Sequence, residues 1–188
     1  MAADSAARLN MVESQVRPSD VTDVRIHDAM YAIDRTQFMP ASKAYLAYAD
    51  TEVEYAPGRW LLKPRDVAKL LQALRPQPGE RALAICAPYA GAVLQALGVE
   101  VDLVEAEGFS PARDGYQLAI CEGAVTRVPP AWLEALGLDG RLGVIERDGP
   151  VGKAVLYLRA ADGVGRRQVF DATPPVLRGF EAQHGFAF

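Results

Sequence analysis

Apolar side chains recur along this chain with two different periods, and the change from one to the other organises it. Over residues 5–17, Ala6, Leu9, Val12 and Val16 fall at helical spacing until Pro18 and Ser19 end the run. Over residues 23–33, Val24, Ile26, Ala29, Met30 and Ile33 lie on or near one side of a second helix. Residues 38–64 are punctuated by Pro, Tyr and Gly, and 52–55 alternate as a short strand would, which predicts an extended wrap on a larger body. A helix over 64–74 carries Val67, Leu70, Leu71 and Leu74 as its stripe, and Pro76 and Pro78 stop it.

From residue 81 the period alternates. Strands are predicted at 81–86, 101–104, 116–121 and 140–145, and helices at 89–97 and 130–136. Strands separated by helices make a parallel sheet covered on both faces. Two further strands, 154–159 and 166–170, are joined by the turn Ala161-Asp-Gly-Val-Gly165 and predict an antiparallel pair at the sheet edge. The fold class is therefore α/β, with a wrap over 1–64 and a main domain over 65–188 forming one structural unit. Pro174, Pro175, Leu177, Phe180, Phe186 and Phe188 predict that the tail packs on the body.

The expected strand order is the 101 strand, the 81 strand, the 116 strand and the 140 strand, then the edge pair. In that order residues 105–116 must return along the sheet. A strand is about 20 Å long and a dozen residues reach past it at about 3.3 Å each, so the return is feasible in extended chain but leaves no room for a helix.

With 188 residues, half of them apolar, the chain can bury a substantial core, and a formal charge of -4 supplies no basic field for nucleic acid. No window approaches a membrane-spanning run and no leader pattern opens the chain, so the expectation is a cytoplasmic protein with no membrane partner. Cys86 and Cys121 lie in apolar segments, as reduced structural thiols do. Neither His27 nor His184 has ligands at metal spacing, so no metal is expected.

Glu80-Arg-Ala-Leu-Ala-Ile-Cys-Ala-Pro-Tyr-Ala-Gly91 is the strand-to-helix turn where a nucleotide-type cofactor loop belongs. Such a loop uses glycines so that backbone can turn tightly and approach a ligand. Here Cys86, Ala87, Pro88, Tyr89 and Ala90 stand instead, and Pro88 removes a backbone donor.

Pieces spread along the chain carry a family resemblance. They include Gln15-Val-Arg17, Asp23-Val-Arg25, Asp34-Arg35 with Phe38 and Pro40, Ala47-Tyr-Ala-Asp50, Gly58 before Pro64, Glu80-Arg-Ala-Leu83, Tyr116-Gln-Leu-Ala-Ile120, Gly123-Ala124, Gly140-Arg-Leu142 and Phe170-Asp-Ala172. In this order, from about Met11 to the end, the chain resembles the protein-L-isoaspartate O-methyltransferase family. The resemblance implies a Rossmann-like S-adenosylmethionine methyltransferase fold, here with a reduced parallel sheet, antiparallel edge strands and an N-terminal helical wrap. It also implies methylation of L-isoaspartyl carboxylates in protein repair.

The departures fall on the chemistry. The family's Thr-Ile-Ser stretch corresponds to Trp60-Leu61-Leu62, so an alkyl group at Leu62 stands where the hydroxyl associated with catalysis would be. The family's first-strand acid corresponds to Ala84, and its glycines to Cys86, Pro88 and Ala90. After Glu105, where the family runs on through the adenine-side segment, only Ala106-Glu-Gly-Phe-Ser-Pro-Ala-Arg113 remain.

Glu105, at a strand end, can hydrogen-bond a ribose or simply be solvated. Glu122 is the best-placed other carboxylate at the carboxyl edge, though a lone acid is a weak acid-base group and a surface role is the default. Cys86 and Cys121 end neighbouring strands, where a redox pair is conceivable but inert thiols are usual. Trp60, Tyr89 and Tyr55 read as a binding surface or as packing that fills a vacated cleft. Arg17, Arg25 and Arg35 read as surface or local ion pairs.

Together these residues predict a degenerate, non-catalytic family member, with no S-adenosylmethionine site and no catalytic residue, acting through protein interaction. The alternative is an active S-adenosylmethionine-dependent carboxyl O-methyltransferase acting on L-isoaspartyl residues. A third reading binds isoaspartyl peptides without modifying them. Homodimer formation along an exposed second strand is a further expectation.

Overall fold

The computed structural model describes residues 2–106 and 109–181. A hairpin of β1 (Val53–Ala56) and β2 (Arg59–Leu61) precedes a sheet of β3 (Arg81–Ile85), β4 (Glu100–Val104), β5 (Tyr116–Val125), β6 (Leu136–Glu146), β7 (Gly152–Ala160) and β8 (Gly163–Ala172). The helices are α1 (Ala2–Met11), α2 (Val24–Ala32), α3 (Pro64–Leu74), α4 (Pro88–Ala96) and α5 (Pro130–Glu134). The sheet order is β4-β3-β5-β6-β7-β8, as expected. β3 is parallel to β4 and β5, and β5 to β6, whereas β7 is antiparallel to both β6 and β8.

β5 is apolar almost throughout because both its faces are covered. On one face Ile120 and Ile145 meet a core built from α1 to α4, including Met11, Ile26, Leu70 and Leu94. On the other, Leu142, Val144 and Tyr116 pack with Trp132 of α5, and the tail adds Leu177 and Phe180. Phe186 and Phe188, also expected to pack, lie outside the described residues.

The departures from the expected elements have local causes. The first helix does not continue as one α-helix to residue 17. It passes into a π-helical segment, Val12–Val16, and a 3₁₀ turn, Arg17–Ser19. Pro18 cannot continue a regular helix, and the Ser14 and Ser19 hydroxyls bond back to the Asn10 and Gln15 carbonyls. Residues 38–64 are less extended than expected, with a 3₁₀ segment at Ala41–Leu46 and the β1–β2 hairpin. That hairpin turns at Pro57 and Gly58, the latter at φ +69, in the Pro-then-Gly order a type II turn uses.

β4 is the edge strand, and the described residues between Glu105 and Asp114 contain no helix. They run back beside β4, where Arg113 meets Asp102 at 3.0 Å and Glu100 at 3.0 Å. At the amino end of the sheet Arg141 donates to the Leu74 and Arg75 carbonyls closing α3 and pairs with Glu80 at 2.9 Å, fixing α3 across β6 and the entry to β3. No helix among the described residues is long and apolar enough to cross a membrane.

β5 is irregular between Ile120 and Ala124. There Gly123 takes φ +119, and the tail pairs with the strand end through Ala124 N–H to Pro175 O (3.0 Å) and Leu177 N–H to Ala124 O (2.7 Å). A Cβ on Gly123 would lie 2.5 Å from Leu177 Cδ2. Gly123→Ala should therefore cost about 2 kcal/mol through strain and overpacking. Urea unfolding should show a lower midpoint at unchanged slope, and an unchanged midpoint would refute this account of the turn.

Candidate functional site

The carboxyl ends of β3, β4 and β5 are where ligands bind in open α/β sheets, and this chain fills that region with its own side chains. β3 leaves the sheet through Cys86, which holds φ +47 without being glycine, and Ala87 leads into α4. A residue with a Cβ in this left-handed region stores about 1–2 kcal/mol of strain. The left-handed turn that a glycine loop needs is thus kept with a thiol in place of the glycine. Tyr55 of the hairpin donates to the Cys86 carbonyl (3.2 Å), while the Ala106 amide donates to Cys86 Sγ (3.2 Å). Burial pushes the Cys86 thiol up to about 12, so it is not a nucleophile near neutral pH.

Glu105 ends β4 with its side chain 65 % exposed, and it accepts from Arg59 Nε (3.2 Å) and Cys86 Sγ (3.4 Å). It is largely solvated and tethered by Arg59, an arginine that the sequence did not single out. Between it and α4 lies a cavity of about 150 Å³ lined by Tyr55, Cys86, Ala87, Pro88, Leu103, Val104 and Glu105. Ligand cavities for molecules of drug or cofactor size run from roughly 300 to 1,000 Å³.

Glu122 corrects the expectation of a surface role, because it is fully buried. It lies on the face of β5 that Leu118 and Ile120 share, against the first turn of α4, where Oε2 accepts from the Ala90 amide (3.1 Å) and Oε1 from the Leu62 amide (3.4 Å). A helix N-terminus presents free amides and a positive dipole end and so attracts an anion. Here the carboxyl group comes from within the chain, and it is an anion above about pH 7. The amide of Ala90 is not lost with the glycines; it is occupied by Glu122.

Arg35 was expected at the surface and is also fully buried. It donates from Nη2 to the Leu62 carbonyl (2.5 Å) and lies 4.6 Å from the centre of the Tyr89 ring, which packs edge-on with Phe38 at 5.7 Å. Nε and Nη1 of Arg35 and the Tyr89 hydroxyl are buried without hydrogen-bond partners among the described residues. Burial pushes the Glu122 carboxyl up to about 7, while the Arg35 charge and the Ala90 and Leu62 amides pull it the other way. Leu62 and Ala84 are both fully buried core residues, whereas Pro88 opens α4 half-buried. Trp60 packs, half-buried, against the core of the opposite sheet face, so Tyr89 and Trp60 face different cores.

The remaining candidates do not join this site. Arg17 pairs with Glu13 and Arg25 with Asp23. His27 is buried, with Nε2 2.8 Å from the Val21 carbonyl and Nδ1 accepting from Arg17. His184 lies outside the described residues. Cys121 is buried on β5 beside Ile85, and both cysteines are free thiols. No group of His, Cys, Asp and Glu suited to a metal occurs among the described residues.

With this geometry in hand, the chain can be set beside known proteins. The family model described as Protein-L-isoaspartate(D-aspartate) O-methyltransferase matches residues 7–109. The protein-L-isoaspartate O-methyltransferase of Methylorubrum populi is 36% identical over 141 residues, covering 74% of this chain and 59% of that protein. That of Gloeobacter violaceus is 30% identical over 161 residues, covering 70% of this chain and 78% of that protein. The chain spans only 59% and 44% of the lengths of the Methylorubrum populi and Methylorubrum extorquens proteins. In fold it is similar to the crystal structure of a Plasmodium falciparum protein-L-isoaspartate O-methyltransferase in complex with S-adenosyl-L-homocysteine. That match has a TM-score of 0.73 and 14% identity and covers 91% of this chain and 98% of that one. The fold is the Rossmann-like one of these methyltransferases, and the chain belongs to the protein-L-isoaspartate O-methyltransferase family.

The folded Glu122 holds its proton more tightly than the ordinary carboxyl at 4.5 does, so the unfolded chain binds fewer protons between those values. Stability should then fall as pH rises from about 4.5 to about 7, by about 3 kcal/mol, and level off above. Asp66, which burial raises from 3.8 to about 6, acts with the same sign at lower pH. Glu122→Gln isolates the first effect: its urea midpoint should match the parent near pH 5 and exceed it near pH 8. Parallel pH profiles for the two proteins would contradict a titrating Glu122.

Proposed function

We propose that this chain is a protein-L-isoaspartate O-methyltransferase family protein that has given up methyl transfer and works in the cytosol by binding another protein. The observation that carries the reading is the internal occupation of the strand-end site by Glu122, held on the Leu62 and Ala90 amides beside Arg35. Four further features support it. Leu62 offers no hydroxyl at the position the resemblance associates with catalysis, and Ala84 offers no carboxylate at the first-strand position. Cys86, Pro88 and Ala90 put side chains where glycines would admit a ligand, and the remaining cavity is about 150 Å³. These residues do not fit S-adenosylmethionine.

The comparisons favour a second reading, an active S-adenosylmethionine-dependent enzyme acting on L-isoaspartyl residues, since the matched relatives carry that activity in their names. It requires Tyr55, Cys86 and Pro88 to move apart and Glu122 to release the α4 amide. A third reading, capture of isoaspartyl peptides without modification, is compatible with the closed cofactor region.

One set of measurements separates the three. Calorimetry with S-adenosylmethionine and S-adenosylhomocysteine should show no saturable binding below about 1 mM, because lost contacts worth several kcal/mol move a micromolar site to that range. Labelled methyl transfer to an isoaspartyl peptide should not exceed a heat-killed control, and Leu62→Ser should not restore it. A micromolar constant, or transfer above the control, would establish the second reading. Saturable binding of the isoaspartyl peptide alone, over its aspartyl isomer, would establish the third.

A further inference from the structure

A cavity of about 660 Å³ lies far from the strand-end site. Its walls are the outer side of α3 (Lys69, Gln72, Arg75), the loop entering α2 (Asp20, Asp23, Arg25) and the edge strand β8 (Arg167, Val169). Because α3 runs into β3, its Arg75 end sits at the amino ends of the parallel strands. Cys86, Glu105 and Glu122 stand at or beyond their carboxyl halves.

The cavity is built, and its charge is opposite to that of the chain. Gln72 fixes the loop by accepting from the Thr22 and Asp23 amides (2.6 and 3.1 Å) and donating to the Asp20 carbonyl (2.8 Å). Four cations face two carboxylates in the lining, on a chain of formal charge -4. Arg25 and Asp23 neutralise each other at 2.7 Å, and Asp20 remains as an acid in the lining. Lys69 lies over the Phe170 ring at 4.4 Å, and the side chains of Lys69, Arg75 and Arg167 form no ion pair among the described residues.

The β8 wall adds a second kind of recognition. β8 pairs with β7 alone, residues 163–168 are exposed, and no hydrogen bond fills the outer edge of the strand among the described residues. An unpaired edge offers main-chain donors and acceptors in register to an extended peptide. We propose that the cleft takes an extended acidic segment of a partner protein, laid along β8 with its carboxylates toward Lys69, Arg75 and Arg167. Nucleic acid fits less well: it would meet Asp20 and a net-negative chain, and it has no use for a strand edge. The inference holds whether or not the strand-end site turns over.

The test uses the whole protein and a short fluorescein-labelled peptide alternating glutamate with valine. Anisotropy at about 50 mM salt should rise saturably and weaken as salt is added. Arg167→Glu and Lys69→Ala should each weaken binding roughly fivefold, the scale of one partly exposed charge pair. Arg127→Ala, an exposed cation outside the cleft, should leave it unchanged, with unaltered thermal melts showing that all variants fold. The same peptide N-methylated at alternate residues should bind more weakly, which separates strand addition from charge attraction alone. Absence of saturable binding, equal binding of a single-stranded oligonucleotide, insensitivity to Arg167→Glu, or full retention by the N-methylated peptide would each overturn the proposal.

Discussion

A carboxylate cannot be buried without partners, and in this chain Glu122 draws its partners from separate parts of the sequence. The Ala90 amide comes from α4, the Leu62 amide from the end of the hairpin, and the Arg35 guanidinium from the 3₁₀ turn after α2. Each buried amide left unpaired would cost about 1–3 kcal/mol. The arrangement therefore ties the N-terminal elements to the carboxyl side of β5. Residue 122 reaches α4 because it shares the Leu118 and Ile120 face of β5, while at Gly123 the strand is irregular and receives Leu177.

Other constraints follow from placing this carboxylate at the first turn of α4. The helix end has a carboxyl group in contact, which becomes an anion as pH passes about 7. The turn before it keeps a left-handed residue, Cys86, whose carbonyl is held by Tyr55 and whose sulfur receives the Ala106 amide. Strain at Cys86 persists because these neighbours over-determine it. The edge strand β4 has its acids met by Arg113 and lies next to no further strand among the described residues. The hairpin, α4 and β4 thus close on one another around a small residual space.

Much of this was readable from period alone. The alternation from residue 81 onward marked the strands, and with the expected order around β3 the short stretch after Glu105 had to return extended, with no room for a helix. The 64–74 stripe marked α3 with its bounds intact. Side-chain fate at special backbone positions was harder to read. Glu122 looks like a strand-end acid if the strand is ended at Cys121; the available signal was its alternation with Leu118 and Ile120 inside the apolar run 116–125. Arg35 sits between Ile33 and Phe38 with no periodicity to assign it a face, so its burial is a tertiary fact. The hairpin turn was signalled by Pro57-Gly58, whereas the π-helical segment Val12–Val16 has no sequence marker.

The same physics separates what holds the family fold from what its binding end requires. The sheet is held by Ile120, Leu142 and their neighbours on both faces, and by Arg141 at the amino end, none of which depends on a ligand at the carboxyl end. A cofactor site, by contrast, depends on what is missing from the chain: side chains at the turn, and internal anions at the helix end. Filling those positions leaves the core intact and can favour the folded state, because empty apolar space is costly. The proposed surface recognition would place its demands on regions the core does not constrain, the strand edge of β8 and the outer side of α3. There, among the described residues, Lys69, Arg75 and Arg167 form no ion pair and β8 pairs on one side only.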